Sequence, residues 1–402
     1  MQAVAFRRQR PLLTPIRQMY LAMFFVAVAA SMTSSTFPPY VRASGYDVAT
    51  VGFLVSIYSV MSLASRLPAG ALAAGRRSHL VAVGATALFA LSTAAYGLAG
   101  DLASFAVIRV LSGFAYGVIT TVNMALLMEA IEQPERRASA TGWYLGWIAA
   151  GHAAGGFLSG LMVDNLGFQT SYLLIAVVIL VGLPFSVARG APKTEGRGLA
   201  PAVRPESKLP WRAALSLTLL IPALQAFTLN ALSQIMWTFY PLYGLSVGLT
   251  LSVLGVHAGA FSTTSMIART LVGQIGHRVS YRQLGTLSLF ATAALTMLVP
   301  VFSTFLPLLV LNVLLGALRA GALVGSMIAA FEYAGDDARK RGMAAGVYTF
   351  GTDTAMVGAP LIGGLIAEQI GLAGIYWALP AALMMLYFGL LGTNLIVARA
   401  RG

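Results

Sequence analysis

The stretch GYDVATVGFLVSIYSVMSLASRLPAG, Gly45 to Gly70, returns 203 residues later as GLTLSVLGVHAGAFSTTSMIARTLVG, Gly248 to Gly273. Gly45, Gly52, Arg66 and Gly70 reappear as Gly248, Gly255, Arg269 and Gly273. The same offset relates Glu129 to Glu332, Gly155 to Gly358 and Gly160 to Gly363. A unit of half the chain is too long for a solenoid repeat of about 20–50 residues. It is the length of a bundle of six membrane spans, and two such bundles are a common build for carriers that rock about a central site.

Composition agrees. Of the 402 residues, 58% are hydrophobic and only 10% charged, against about 25% charge in soluble domains. Crossing about 30 Å of hydrocarbon takes roughly 20 apolar residues. Twelve stretches qualify, from 18–40 to 372–396. The fourth lies at 102–129, the fifth at 139–163, the tenth at 305–331 and the eleventh at 343–367. The fold class expected is therefore an all-α membrane protein of twelve helices in two pseudo-symmetric six-helix bundles. The first bundle covers 1–189 and the second 212–402. The polar, Pro- and Gly-containing segment 190–211 is the linker.

The net charge of +13 raises nucleic acid as a partner. The cations sit elsewhere than that reading needs. Both termini, the linker and alternate loops hold 21 of the 26 Lys and Arg, whereas the opposite loops hold Arg42 alone. The positive-inside rule then places both termini in the cytoplasm. The expected location is a bacterial inner membrane, with the lipid bilayer as partner and no nucleic acid. There is no cysteine, hence no thiolate or zinc-thiolate site. No Walker sequence is present, and no cofactor or metal is called for. Gly244-Leu-Ser246-Val-Gly248 fits the hydrolase pattern Gly-x-Ser-x-Gly, but that motif needs a strand–turn–helix elbow and here falls in a loop between spans. An enzyme is not expected.

Three motifs give the chain its resemblance to a transporter of the major facilitator superfamily, in particular to its twelve-helix exporter-like branch. Gly273-Gln-Ile-Gly-His-Arg-Val-Ser-Tyr-Arg282 follows the family loop Gly-x-Leu-Ala-Asp-Arg-x-Gly-Arg-Arg, with His277 at the Asp position. Gly70-Ala-Leu-Ala-Ala-Gly-Arg-Arg77 follows its start, with Ala74 at that position. Arg109, Gly113 and Gly117 match the fourth-span pattern Arg-x-x-x-Gly. Gly142, Gly151, Gly155 and Gly156 match the spaced glycines of exporters in the fifth span, without its closing proline. The resemblance implies alternating access to a central cavity lined by spans 1, 4, 7 and 10. It also implies a cytoplasmic latch, for which Arg66, Arg76, Glu129, Arg269, Arg278 and Glu332 are the candidates. With the acidic loop residue missing from both halves, a non-transporting sensor on the carrier fold is a remote alternative.

Charge in mid-bilayer costs about 2.5–3.5 kcal/mol on insertion scales, so it persists where a cavity or a partner compensates. Arg109, Arg319 and Asp353 are the deep charges. Arg109, Ser112, Tyr116, Thr120 and Asn123 share one helical face, and Asn312, Arg319 and Ser326 share another. With Asn230 and Gln234 of the seventh span they form the expected substrate cavity. Asp353 and Arg319 lie at similar depth, which predicts a pair or a shared site, with Asp353 as proton-coupling candidate. His152 and His257 are read as packing residues. The function expected is proton-coupled export of a small organic solute. Uptake or exchange of an organic anion is the alternative.

Overall fold

The computed structural model describes residues 14–73, 75, 77–131, 133–187, 217–275, 280–332 and 338–401. The linker 190–211, Ala74, Arg76, His277 and Arg278 lie outside the described residues.

Among the described residues there is no strand. The first half holds α1 (Pro15–Ala43), α2 (Val48–Ala73), α3 (Ser78–Ala95), α4 (Leu102–Ala130) and α5 (Pro134–Gly182). The second holds α6 (Leu217–Thr238), the short α7 (Tyr240–Ser246), α8 (Leu251–Ile275), α9 (Tyr281–Met297), α10 (Phe305–Glu332) and α11 (Ala338–Arg401). Ten of these are long and apolar enough to cross a membrane. Two of the ten are long enough to cross twice. The 49-residue α5 breaks at Gly167 and the 64-residue α11 at Gly371. Divided at these breaks, the ten would supply as many spans as the sequence leads one to expect.

The duplication survives in the backbone. Positive φ among the described residues is confined to Gly45, Gly248, Gly167 and Gly371, at 91°, 88°, 74° and 79°. The first two are 203 residues apart and the second two 204. A residue with a Cβ is strained in that region, so glycine is the residue that lets each chain reverse there. Counting alternate crossings from α1 puts all four turns on one face, here termed distal. The face where α1 begins is proximal. Ser246 sits at the end of α7 and donates to the Tyr243 carbonyl 2.7 Å away. That helical setting replaces the strand–turn–helix elbow a serine hydrolase requires.

Within each half the helices close on one another through small residues, as expected where lipid supplies no hydrophobic drive between spans. Between halves, α5 packs on α8 and α2 on α11. These contacts are tightest distally. A Cβ on Gly156 would come within 2.7 Å of the Gly259 nitrogen, and one on Gly160 would overlap the Leu251 carbonyl. Two carboxylates add to the closure. Asp164 of the first half accepts from both the Ser252 amide and hydroxyl of α8, each 2.6 Å away. Glu368 of the second half accepts from the Val48 amide of α2 at 3.3 Å. Each acid caps the positive end of a helix from the opposite half.

Toward the proximal face the halves diverge. At about 100° per residue, Gly142 and Gly146 share the α5 face of Gly156 and Gly160, and Gly342 and Gly346 share the α11 face of Pro360 and Gly364. A Cβ on any of these four proximal glycines would meet nothing within 4 Å. The halves therefore form a wedge, closed distally and parted proximally.

Candidate functional site

At the head of the wedge lies a cavity of about 360 Å³ lined by both halves. From the first half, α1 presents Ser31 and Ser34, α2 presents Tyr58 and Ser59, α4 presents Arg109 and Tyr116, and α5 presents His152. From the second, α6 presents Asn230, Ser233 and Gln234, α8 presents Phe261 and Arg269, and α10 presents Arg319. The spans expected to line the centre, the first, fourth, seventh and tenth, are α1, α4, α6 and α10.

Arg109 is 4% exposed. Its guanidinium lies 3.3 Å from the centroid of the Phe37 ring, with Tyr58 at 5.3 Å and Tyr96 at 5.9 Å. A desolvated cation on an aromatic face gains about 2 kcal/mol. The stacking offsets part of the cost of placing charge here. Its Nε is buried without a hydrogen-bond partner. Arg319 donates from Nε to the Ser233 hydroxyl at 2.8 Å, which ties α10 to α6.

Other stripe residues turn away from the cavity. Ser112 bonds the Tyr96 hydroxyl at 3.3 Å, Asn123 donates to the Ile119 carbonyl of its own helix at 3.0 Å, and Asn312 to that of Leu308 at 2.9 Å. Asn312 also faces a smaller, mainly apolar pocket beside Trp237 and Tyr240. Gln234 lines the cavity and donates to the Met356 carbonyl at 3.3 Å.

The expected Arg319–Asp353 pair is not formed. Asp353 accepts on both carboxylate oxygens from one guanidinium nitrogen of Arg66, each at 3.0 Å. The pair joins α2 of one half to α11 of the other. Equal depth along two helices leaves open which way each face turns. Here α11 packs on α2 and α6, so Asp353 faces the other half while Arg319 faces Ser233. Of the described latch candidates, Arg66 pairs with Asp353, Glu129 is half-buried at the end of α4, Arg269 lines the cavity and Glu332 is exposed at the end of α10.

Two cavity residues escape the sequence reading. Arg269 reads as a helix-end residue, yet Phe261, Ser265 and Arg269 recur every four residues on one α8 face, a signal present in the sequence. His152 lines the cavity while its Nδ1 lies 2.9 Å from the Ile148 carbonyl. His257 is buried between the Tyr240 hydroxyl at 2.6 Å and the Phe305 carbonyl at 3.2 Å, in keeping with packing.

Known proteins fit this geometry. The profile described as Major Facilitator Superfamily matches residues 19–305 and 226–399. The Tetracenomycin C resistance and export protein of Streptomyces glaucescens is 27% identical over 166 residues, 40% of this chain and 30% of that protein. The Drug efflux pump JefA of Mycobacterium tuberculosis is 28% identical over 159 residues, 38% and 30% of the two chains. The match thus spans about a third of the length of these relatives. Among solved structures, the nucleoside transporter NupG superposes with a TM-score of 0.72 at 15% identity, over 94% of this chain and 99% of that one. A bacterial homolog of the human lysosomal transporter Spinster, inward-facing and unoccupied, gives 0.72 at 13%, over 94% of each. Two half-bundles about a shared cavity, under a profile that covers nearly the whole chain, make one conclusion plain: the chain belongs to the major facilitator superfamily.

Proposed function

We propose that this transporter exports a small organic solute by alternating access, in exchange for protons, and that the wedge is the state open to the cytoplasm. The observation that carries the reading is the cavity itself. It draws charged and polar groups from both halves, is shut distally by backbone-to-backbone contact and opens proximally. The Lys and Arg bias assigns the proximal face to the cytoplasm. Export is supported by the names of the relatives, one an export protein and one an efflux pump.

Asp353 is the proton site in this reading. It is 9% exposed and holds a partner on the opposite half. A proton on Asp353 cancels its charge and releases Arg66, so protonation and half-to-half contact are linked. The second reading, uptake or exchange of an organic anion, is favoured by the arginines of the cavity wall.

The test uses inside-out vesicles with an acidified lumen. Solutes are added and loss of the pH gradient is read with a dye. Export against protons predicts that transported solutes collapse the gradient with the native chain and not with Asp353→Asn. Solute flux that leaves the gradient untouched would sink the proton coupling.

A further inference from the structure

We propose that the cavity binds an organic anion with a flat apolar body, its acid group held between Arg269 and Arg319 and attracted from the opposite wall by Arg109. This assignment rests on the reading of the chain as a carrier and names its substrate class. Arginine stays ionised in proteins, so the wall carries three fixed positive charges. Among the described residues, no Asp or Glu lines the cavity. The deep carboxylate Asp353 already accepts two bonds from Arg66. The Nε atoms of Arg109 and Arg269 are buried with no hydrogen-bond partner. A buried charge without a counter-charge is costly, and a carboxylate or phosphate relieves it through paired charge-assisted bonds.

The three arginines have different tasks. Arg109 is stacked on Phe37 and supplies potential from the first half. Arg319 has its Nε fixed by Ser233, which leaves the outer edge of the guanidinium to a ligand. Arg269 stands on the neighbouring helix of the same half, since α8 packs on α10. Tyr58, Trp237 and Phe261 give the flat faces for an apolar body. An anion held by Arg269 and Arg319 of the second half and attracted by Arg109 of the first also links binding to the approach of the halves, as alternating access requires.

The experiment measures binding to the full chain, purified in detergent, by Trp fluorescence and calorimetry. The probes are a naphthalene carboxylate, its carboxamide and the naphthyl trimethylammonium. The carboxylate is expected to bind about tenfold or more tightly than the amide, the margin of a charge-assisted pair. Arg269→Gln and Arg319→Gln should bring that ratio toward one, and Arg269→Lys should keep most of it, which separates lost charge from lost folding. Equal or tighter binding of the amide or the cation overturns the proposal, as does absence of saturable binding for all three. Counterflow of labelled carboxylate in vesicles separates the two readings. Charge-selective binding without flux leaves the anion site standing and removes the carrier reading. Flux that prefers the cation leaves the carrier and removes the anion site.

Discussion

Asp353 and Arg66 show what one pair of side chains does in this chain. Neither residue's partner can be read from spacing. Asp353 sits 287 positions from Arg66, and only the packing of α11 on α2 joins them. Removing one partner leaves the other charge partly buried. Because the Arg66 side chain is 40% exposed, Arg66→Gln is expected to cost about 1–3 kcal/mol, less than for a fully buried pair. Adding Asp353→Asn to it should recover most of the loss, and thermal unfolding of the two single variants and the double variant measures the coupling. Equal additive losses would mean the pair contributes nothing. Depth along a helix is legible for Arg109, Arg319 and Asp353, because apolar flanks mark it. Azimuth is not, because it depends on which neighbour each helix finds. Sequence alone marks Arg109 and Arg319 as deep, and both line the cavity; for Asp353 it names Arg319 as partner, where the structure has Arg66.

At the scale of elements, the distal seam of α5 on α8 and α2 on α11 decides which face is open. Gly160→Ala places a methyl group against the Leu251 carbonyl, and Gly52→Ala against that of Pro360. Both changes are expected to part the seam while leaving each half folded. The chain has no cysteine, so a single introduced thiol reports without background. A cysteine at Leu251, buried against Gly160 across the seam, should react with an impermeant maleimide several-fold faster in the Gly160→Ala background, and unchanged labelling would show the seam unaffected. Asp164→Asn and Glu368→Gln weaken the two helix caps across the seam, each by about 0.5–2 kcal/mol. The same label should rise in both, and more in the double variant. The glycine spacing of the fifth span announces close packing. Its partner α8 is not in the spacing, since any small-residue stripe accepts any neighbour.

For the whole molecule, the repeat at 203 residues predicts the fold because each half must pack the same way to bury the same small-residue faces. The four matched positive-φ glycines are that duplication in the backbone. The cavity is half legible: spans 1, 4, 7 and 10 follow from the family resemblance, whereas Arg269 and His152 come from α8 and α5, whose polar stripes are short and flanked by glycine and alanine. The central claim is that solute crosses only if the two halves exchange their open face. Cysteines at Asp164 and Ser252, whose side chains now touch across the seam, allow a disulfide or a short bis-thiosulfonate bridge to hold the distal face shut. Counterflow of the naphthalene carboxylate in vesicles of this variant should fall to the protein-free rate on cross-linking and return on reduction. Counterflow that continues undiminished with the bridge formed would contradict alternating access.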